Sequence, residues 1–382
     1  MADGAGFGSS LTPAKPFGLR NKIMASRKFQ SWAARFPLTR RFVRQEGDAL
    51  FDLMAGFCHS QILMALAELQ IPEALLGGPV AVADIASQTN IPPERLQVLL
   101  QGGASIGVLK LRKGGVALTR RGAAFATVPG LSAMVRHHRA FYRDLEDPVA
   151  FFRGETTTEL AEIWPYVFGD TSNIDSKTAS AYSDLMAQSQ ALVAEDTLRM
   201  VDVSGIDTLM DVGGGTGAFL VAVGQVNPDV KLRLFDLPSV APDAASRFAQ
   251  AGLSDRTDTH LGSFREDTLP EGADAISLIR VLFDHSDDTV RALLGKVYDA
   301  LPEGGRLIVS EPMSGGATPN KATDGYFALY TMAMRTGRTR SAAEIVKLVT
   351  EAGFGQVTSP KPLRAYVTSV VMAVKPTSTL SV

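Results

Sequence analysis

The feature that most constrains this chain is a glycine-rich turn between a predicted strand and a predicted helix. Its residues are Leu209-Met210-Asp211-Val212-Gly213-Gly214-Gly215-Thr216-Gly217. Glycine lets the backbone turn sharply and lie close to a ligand, while the start of the following helix supplies unpaired N–H donors. About 20 residues further on, Asp236 ends the next predicted strand, where a carboxylate can bind both hydroxyls of a ribose. We therefore expect a nucleotide-like ligand at this turn.

Nicotinamide dinucleotides and S-adenosylmethionine both bind at turns of this kind, and Asp211 distinguishes between them. Its carboxylate lies beside the turn, where it repels a pyrophosphate and attracts the cationic amino group or sulfonium of S-adenosylmethionine. The pattern D-x-G-x-G-x-G, with Asp236 downstream, therefore favours S-adenosylmethionine as the cofactor.

Strands and helices alternate in the second half of the chain, after Ser204. The predicted strands are 208–212, 231–235, 257–260, 275–282, 306–310 and 365–374, and the predicted helices between them are 219–226, 244–251, 287–301 and 342–352. Alternation at this spacing indicates βαβ units, in which helices cover both faces of a mainly parallel sheet.

The first half of the chain predicts a helical domain that contains a winged-helix pattern. Helix signals at 82–88 and 94–106 precede two short strands at 108–111 and 116–118. A winged helix can bind DNA, but its recognition helix normally carries several basic residues, and this candidate carries only Arg95. We expect a packing or dimerisation role and no nucleic-acid partner; a DNA-binding regulator is the alternative from a different functional class.

The N-terminal segment 1–45 is strongly basic. It contains nine Lys and Arg residues against the single acid Asp3, and aromatic residues are interleaved with these charges. Such a segment can lie on an anionic lipid surface, or it can pack its aromatic side chains on the protein body. We divide the chain into this arm (1–45), a helical winged-helix-like domain (46–200), a cofactor-binding domain (201–376) and a tail (377–382).

Composition narrows the protein class and its location. The chain of 382 residues is 45% hydrophobic and 20% charged, with a net charge of −2, which is typical of a globular protein. One cysteine and five histidines predict neither an internal disulfide nor a metal centre. The sequence has no long uninterrupted apolar stretch and no signal peptide, so we expect a cytoplasmic protein, with the arm as the candidate for contact with the inner membrane.

In combination, the motifs of the chain resemble those of the caffeic-acid-type small-molecule O-methyltransferases. Besides the glycine turn, the resemblance rests on Phe235-Asp236-Leu237-Pro238, Leu301-Pro302-Glu303-Gly304-Gly305-Arg306-Leu307 and Glu351-Ala352-Gly353-Phe354. More narrowly, the arm at 27–40, the run 280–285 and the run 309–316 resemble the bacterial carotenoid branch, which includes the demethylspheroidene and hydroxyneurosporene O-methyltransferases.

The resemblance implies a class I methyltransferase fold, with an antiparallel last strand and an N-terminal domain that forms a homodimer. It places the methionine part of the cofactor at Gly213, the ribose at Asp236 and the adenine at 262–264. The cofactor-binding residues predicted in total are Asp211, Gly213, Gly215, Asp236, Leu237, Gly262, Ser263, Phe264 and Arg280.

The catalytic constellation of that family is incomplete here. The resemblance places Phe283 where the family has its basic histidine, and a histidine follows two positions later. We hypothesise that His285 accepts the proton and that Glu311 or Asp284 orients it. The alternative is that His285 caps or packs at the start of the next helix. Phe283, His138 and Met186 are the predicted residues of the substrate pocket.

The resemblance implies methylation of the C1 tertiary hydroxyl of an acyclic carotenoid, in spheroidene-type carotenoid biosynthesis. An O- or C-methyltransferase acting on a phenolic or tetrapyrrole acceptor is the alternative within the same fold.

Overall fold

The computed structural model describes residues 18–163, 189–240 and 242–377. Its internal contacts divide the chain into two compact units. The first comprises Met1–Leu69 and Pro79–Ala117, and the second comprises Gln70–Gly78 and Leu118–Val382. The domain boundaries expected near residues 45 and 200 stay predictions.

The first unit contains the expected order of helix, helix and hairpin. Its elements are α1 (Leu19–Met24), α2 (Arg27–Arg35), α3 (Arg40–Glu68), α5 (Val82–Thr89), α6 (Pro93–Ser105), β1 (Leu109–Arg112) and β2 (Gly115–Leu118), whereas the short α4 (Ile71–Ala74) belongs to the second unit. Helix α6 packs closely against its neighbours at Gly103, where a Cβ atom would lie 2.8 Å from Leu109 Cδ1 and 3.0 Å from Leu66 Cδ1. Glycine is needed at this position because a side chain would displace both leucines.

Helix α3 begins inside the predicted arm and continues well beyond it. Its middle part exposes large apolar side chains, namely Leu50, Phe51, Leu53, Met54 and Phe57. Among the described residues, α3 is the one helix long and apolar enough to cross a membrane. Its most apolar 18-residue stretch has a mean hydropathy of 1.4, and 11% of that stretch is buried. The same length and composition are found in helices whose apolar face packs against protein.

The second unit is built on a mainly parallel sheet. Within the described residues it has seven strands: β3 (Thr208–Val212), β4 (Lys231–Asp236), β5 (Thr257–Leu261), β6 (Ala275–Ile279), β7 (Arg306–Glu311), β8 (Gly355–Thr358) and β9 (Ser369–Val374). Their order is β5-β4-β3-β6-β7-β9-β8. Strands β3 to β7 pair in parallel, and β9 is antiparallel to β7 and β8. The predicted parallel sheet with an antiparallel last strand is confirmed.

Three features of the sheet differ from the prediction. The last strand, β9, begins at Ser369 instead of 365, because residues 365–367 form a turn. Strand β6 ends at Ile279 instead of continuing to 282, because Arg280 adopts a left-handed conformation (φ 58°) that interrupts an extended strand. Strand β8 was not predicted, since it is four residues long, has an irregular register and alternates half-buried with exposed side chains.

Helices cover the sheet and extend the unit on its N-terminal side. Besides α4 they are α7 (Arg120–Thr127), α8 (Leu131–Asp144), α9 (Pro148–Arg153), α10 (Glu159–Ile163), α11 (helical over 189–200), α12 (Ala218–Val226), α13 (Pro242–Gln250), α14 (Asp287–Ala300), α15 (Ala328–Ala333) and α16 (Ala342–Glu351). A single π-helical segment, Lys321–Phe327, leads directly into α15 within the described residues.

The two faces of the sheet bury separate apolar clusters. Along β3, Met210 and Val212 pack into the cluster that contains residues of α14 and α16, whereas Leu209 packs into the cluster of α12 and α13. Successive side chains of a strand point to opposite faces, so a strand buried on both sides is almost entirely apolar. Asp211 is the fully buried polar residue of β3, and it lies just before the turn at the carboxyl end of the strand.

Candidate active site at the carboxyl ends of the strands

The glycine turn has the conformation that the sequence predicts. Gly213, Gly215 and Gly217 have φ values of 70°, 60° and 76°, a region that residues with a Cβ rarely adopt. A Cβ at Gly217 would collide with the ring of Phe248, whereas a Cβ at Gly215 would meet no protein atom within 4 Å. The turn is therefore packed at its helix end and open at Gly215, where a ligand can contact the backbone.

Asp211 is fully buried directly beneath this turn. Its Oδ1 accepts a hydrogen bond from Ser277 Oγ at 2.6 Å, and its Oδ2 has no hydrogen-bond partner among the described residues. A Cβ at Gly214 would lie 2.5 Å from that Oδ2. Burial raises the pKa of Asp211 to about 7, although the hydrogen bond from Ser277 opposes the shift. A buried carboxylate oxygen without a partner suits a cationic ligand group at the turn.

Asp236 links the turn to the end of β4. Its Oδ2 accepts a hydrogen bond from the backbone N–H of Gly215 at 2.6 Å, and its Oδ1 accepts one from Leu237 N–H at 2.7 Å. Burial raises the pKa of Asp236 to about 6. Both carboxylate oxygens are therefore oriented by backbone donors, and each retains a further lone pair for a ligand hydroxyl.

The segment 262–264 borders the same turn. The Gly262 N–H donates to the Asp236 carbonyl at 3.0 Å, and the Ser263 N–H donates to Asp267 Oδ2 at 2.8 Å. The ring of Phe264 lies 3.9 Å from where a Cβ of Gly213 would be. The structure thus brings this predicted adenine segment beside the predicted methionine site.

Arg280 occupies the left-handed position that ends β6. Its backbone N–H donates to the Ser310 carbonyl and its Nη1 donates to Ser189 Oγ of α11, both at 2.8 Å. The guanidinium carbon lies 5.8 Å from the centre of the Phe283 ring. Non-glycine residues in this conformation are often found at functional sites, where surrounding contacts hold them.

Two carboxyl groups lie next to Phe283. Glu311 at the end of β7 is fully buried, and its Oε2 accepts a hydrogen bond from the Phe283 N–H at 3.0 Å. Burial raises the pKa of Glu311 to about 7 and raises that of Asp284 well above its usual value, while the Arg280 charge opposes both shifts. One oxygen of each carboxyl group has no partner among the described residues.

His285 has different neighbours from those expected. Its Nδ1 lies 3.0 Å from Arg265 Nη2, and its ring meets Phe264 edge-on at 5.2 Å between centroids. Burial, together with the charges of Arg265 and Arg340, lowers the pKa of His285 to about 3. The structure brings His285 to the Phe264 segment, and the hydrogen bonds described for it do not include Glu311 or Asp284. Its role as proton acceptor stays a prediction.

His138 on α8 pairs with a tyrosine that the sequence did not single out. Its Nε2 lies 2.7 Å from the hydroxyl of Tyr326, and the Nε2 of His137 lies 2.8 Å from the hydroxyl of Tyr330. The partners are 188 and 193 residues apart in the chain. The four-residue spacing of the tyrosines was visible in the sequence, but nothing local connected it to α8. Met186, the remaining predicted pocket residue, lies outside the described residues.

Two family models match the chain. Residues 142–355 match the O-methyltransferase domain, and residues 51–127 match the O-methyltransferase dimerisation domain. The chain belongs to the O-methyltransferase family. The dimerisation match includes most of the exposed apolar stretch of α3 and supports a homodimer.

Curated relatives of this O-methyltransferase extend over almost its whole length. It is 56% identical to the demethylspheroidene O-methyltransferase of Cereibacter sphaeroides, over 93% of this chain and 94% of that one. It is 50% identical to the enzyme of the same name from Rhodobacter capsulatus, over 92% of this chain and 88% of that one.

Solved structures agree on the fold. The human N-acetylserotonin methyltransferase in complex with S-adenosylmethionine superposes with a TM-score of 0.74, at 24% identity, covering 87% of this chain and 98% of that chain. CalO1, a methyltransferase of calicheamicin biosynthesis, superposes with a TM-score of 0.69 at 25% identity, covering 87% and 98%. This O-methyltransferase therefore has the class I methyltransferase fold, and its cofactor is S-adenosylmethionine. The DNA-binding, phenolic and tetrapyrrole alternatives are not favoured.

Proposed function

We propose that this enzyme methylates the C1 tertiary hydroxyl of acyclic carotenoids such as demethylspheroidene and hydroxyneurosporene. The observation that carries the proposal is the 56% identity with a demethylspheroidene O-methyltransferase over more than nine tenths of both chains. Phe283 stands where the family has its basic histidine. This supports an alcohol over a phenol, because a hydroxyl of very low acidity gains little from a histidine base.

The same proposal assigns the cofactor contacts. Asp236 binds the ribose hydroxyls of S-adenosylmethionine. The Asp211 carboxylate beneath the turn attracts the cationic amino group or sulfonium. Gly213 and Gly215 let the backbone approach the ligand. Phe264 faces the adenine, since it lies beside the turn on the side of β5. When bound, S-adenosylmethionine supplies a methyl group on a positively charged sulfur.

The acidity of the acceptor decides how much a strong base matters. A phenol has a pKa near 10, so transferring its proton to a histidine of about 6.5 costs roughly 5 kcal/mol. An alcohol as weakly acidic as water, near 15.7, raises that cost above roughly 12 kcal/mol. The hydroxyl oxygen of a tertiary alcohol therefore attacks while still protonated, and its proton leaves late, as the new C–O bond makes the oxygen acidic.

An apolar wall suits that mechanism. Alignment of the hydroxyl and exclusion of water contribute most of the rate when no strong base is required. Phe283 supplies this apolar surface, since it is buried, its backbone N–H donates to Glu311 and the Arg280 guanidinium lies over its ring.

The arm has a role in the same proposal, because an acyclic carotenoid dissolves in lipid. The rings of Trp32 and Phe36 stack at 4.9 Å, and both side chains are exposed. Arg40, Arg41 and Arg44 line a neighbouring surface depression. Exposed aromatic rings beside several cations favour adsorption to an anionic bilayer. We place the enzyme in the cytoplasm, on the surface of the inner membrane.

The substrate assignment is tested with labelled S-adenosylmethionine and a panel of hydroxylated acyclic carotenoids, phenols and tetrapyrroles. We expect label in the ether of the tertiary alcohols. Transfer confined to a phenol or a tetrapyrrole would contradict the proposal, and it would leave the family assignment unchanged.

A further inference from the structure

Ser277 on β6 and Asp211 on β3 form a polar pair between apolar neighbours. The two residues are register partners in parallel strands, and both are fully buried. The residues beside them on the next strands, Leu234 of β4 and Ile308 of β7, are buried and apolar. Two polar side chains at the centre of such a row reduce the apolar surface that the sheet buries, so their presence there indicates a functional requirement.

One short hydrogen bond joins the pair. Ser277 Oγ donates to Asp211 Oδ1 at 2.6 Å, a length typical of a hydroxyl bound to an ionised carboxylate. The Met210 carbonyl, a second acceptor near the hydroxyl, is 3.5 Å away. Because a hydroxyl has a single proton to donate, the much shorter contact shows that it is directed at Oδ1.

This hydrogen bond determines which carboxylate oxygen faces the glycine turn. The Oδ2 atom of Asp211 has no hydrogen-bond partner among the described residues, and it lies 2.5 Å from where a Cβ of Gly214 would be. The next residue, Gly215, donates its N–H to Asp236. Holding Oδ1 toward β6 therefore leaves Oδ2 directly beneath the turn to which the ribose-binding carboxylate is attached.

We propose that Ser277 is a positioning residue for the cofactor, whose hydroxyl holds Asp211 in its charged form with Oδ2 directed at the cationic group of S-adenosylmethionine. This inference rests on the part of the proposed function that assigns the attraction to Asp211. Ser277 acts only through that carboxylate. The sequence analysis did not single out this serine, because one serine within an apolar strand forms no recognisable pattern.

The charge of Asp211 depends on this hydroxyl. Burial raises the pKa of Asp211 to about 7, the hydrogen bond from Ser277 opposes the rise, and the nearby Asp236 adds to it. On the same face of the sheet, α12 has no charged residue, and α13 has Asp243 and Arg247, neither of which is a cause of the shift. Removing the hydroxyl should therefore move the pKa of Asp211 upward and leave less of the charged form at neutral pH.

The test compares the full-length enzyme with Ser277→Ala by calorimetry. At pH 7 the variant should bind S-adenosylmethionine about 10-fold more weakly, which corresponds to the loss of one hydrogen bond to a charged group. This loss should become smaller as the pH is raised to about 9, because the carboxyl group then ionises without help from the hydroxyl. A serine that only supported the packing of the sheet would give a loss that does not depend on pH.

A ligand without positive charge separates this effect from a general disturbance of the site. 5′-Methylthioadenosine keeps the adenine and the ribose of the cofactor but has neither the sulfonium nor the amino group. Its affinity should be the same in Ser277→Ala and in the unsubstituted enzyme. Together with thermal unfolding, this measurement shows that the variant is folded and that its ribose site is intact.

Ser310 provides the matched control. It is a fully buried serine on the adjacent strand β7, and its Oγ lies within hydrogen-bond distance of the hydroxyls of Thr197 (2.6 Å) and Thr368 (2.7 Å). Ser310→Ala removes a buried hydroxyl from the same sheet, and it should leave the affinity for S-adenosylmethionine and its pH dependence unchanged.

The combination with Asp211→Asn shows whether Ser277 acts through the carboxylate. An asparagine has no negative charge for the hydroxyl to stabilise. Adding Ser277→Ala to Asp211→Asn should therefore cause no further loss of affinity for S-adenosylmethionine.

Three results would overturn the inference. They are an unchanged affinity for S-adenosylmethionine in Ser277→Ala, a loss of the same size at every pH, or an equal loss for 5′-methylthioadenosine. Full affinity in Asp211→Asn would instead remove the attraction on which the inference rests. The acceptor takes no part in these binding measurements, so a failure of the carotenoid assignment would appear only in the acceptor panel.

Discussion

The backbone N–H of Gly215 donates a 2.6 Å hydrogen bond to Oδ2 of Asp236. This contact connects the glycine turn after β3 with the carboxylate that ends β4, two features that the sequence separates by about 20 residues. A second backbone donor, Leu237 N–H, holds the other oxygen at 2.7 Å. The carboxylate is thus oriented before a ligand arrives, which lowers the entropy cost of binding.

Asp236→Asn should weaken cofactor binding strongly. The amide retains one acceptor oxygen, so at least one of the two backbone donors and one ribose hydroxyl lose a charged partner. Such hydrogen bonds contribute about 1.5–3 kcal/mol each, which predicts a loss of about 10- to 100-fold in affinity for S-adenosylhomocysteine by calorimetry. Asp229→Asn, at an exposed position after α12, is the control. Equal affinities in the two variants would remove Asp236 from the binding site.

Asp211 should make cofactor binding depend on pH. Burial raises its pKa to about 7, so the group is protonated and neutral below that value and attracts a cation only above it. Affinity for S-adenosylmethionine should therefore rise between about pH 6 and pH 8. Asp211→Asn keeps the acceptor for Ser277 and should flatten this dependence. A variant that keeps the full pH dependence would show that another group causes it.

The same shift predicts how the stability of the unliganded enzyme changes with pH. The folded pKa of Asp211 lies above its ordinary value of 3.8, so the folded state holds the proton more tightly than the unfolded state does. The proton on Asp211 therefore contributes its full stabilisation below the pKa of the unfolded state, and this stabilisation is lost as pH rises through about 7. As pH rises from 3.8 to about 7, the free energy of unfolding measured in urea should therefore fall less for Asp211→Asn than for the unsubstituted enzyme.

Arg340 should be essential for the segment that carries Phe283 and His285. Its guanidinium is fully buried and donates to the carbonyls of Leu282 (2.7 Å) and His285 (2.8 Å), and it pairs with Asp287. Arg340→Met leaves the buried His285 carbonyl without this donor, whereas the Leu282 carbonyl keeps the His285 N–H and Asp287 keeps Arg338. The change should lower the free energy of unfolding by about 1–3 kcal/mol.

Arg338 offers a matched control for that prediction, because it also pairs with Asp287 but is exposed. Arg338→Met should cost about 1 kcal/mol or less. Denaturant unfolding of both variants measures the two losses in the free energy of unfolding. Similar losses would mean that the buried hydrogen bonds of Arg340 add no more stability than the exposed ion pair of Arg338.

Trp32 and Phe36 should determine binding to lipid. In sedimentation with vesicles of anionic lipid, the double variant Trp32→Ala/Phe36→Ala should bind less than the unsubstituted enzyme, because it lacks the exposed stacked rings. Phe152→Ala, which removes an exposed aromatic side chain of α9 in the other unit, should leave binding unchanged. Unchanged sedimentation of the double variant would exclude the arm as a lipid contact.

Local patterns were sufficient to predict the glycine turn and the methyl donor. The strand, the glycine turn, the following helix and the next strand form one βαβ unit, and Asp211 and Asp236 have defined positions within it. Each of these features depends on neighbours close in the sequence. Their spacing therefore predicted a parallel βαβ unit, the location of the turn and the chemistry of the cofactor.

Tertiary packing decided the contacts of the histidines that the sequence analysis singled out. Tyr326 meets His138 across 188 residues, and the side chain of His285 is directed by Arg265 and Phe264, which belong to another strand end. A side chain takes its direction from whichever packed partner satisfies its polar atoms, and no short-range pattern encodes a partner on a distant element. The sequence by itself determined the fold class and the methyl donor, and only the folded structure determined which distant partners His138 and His285 contact.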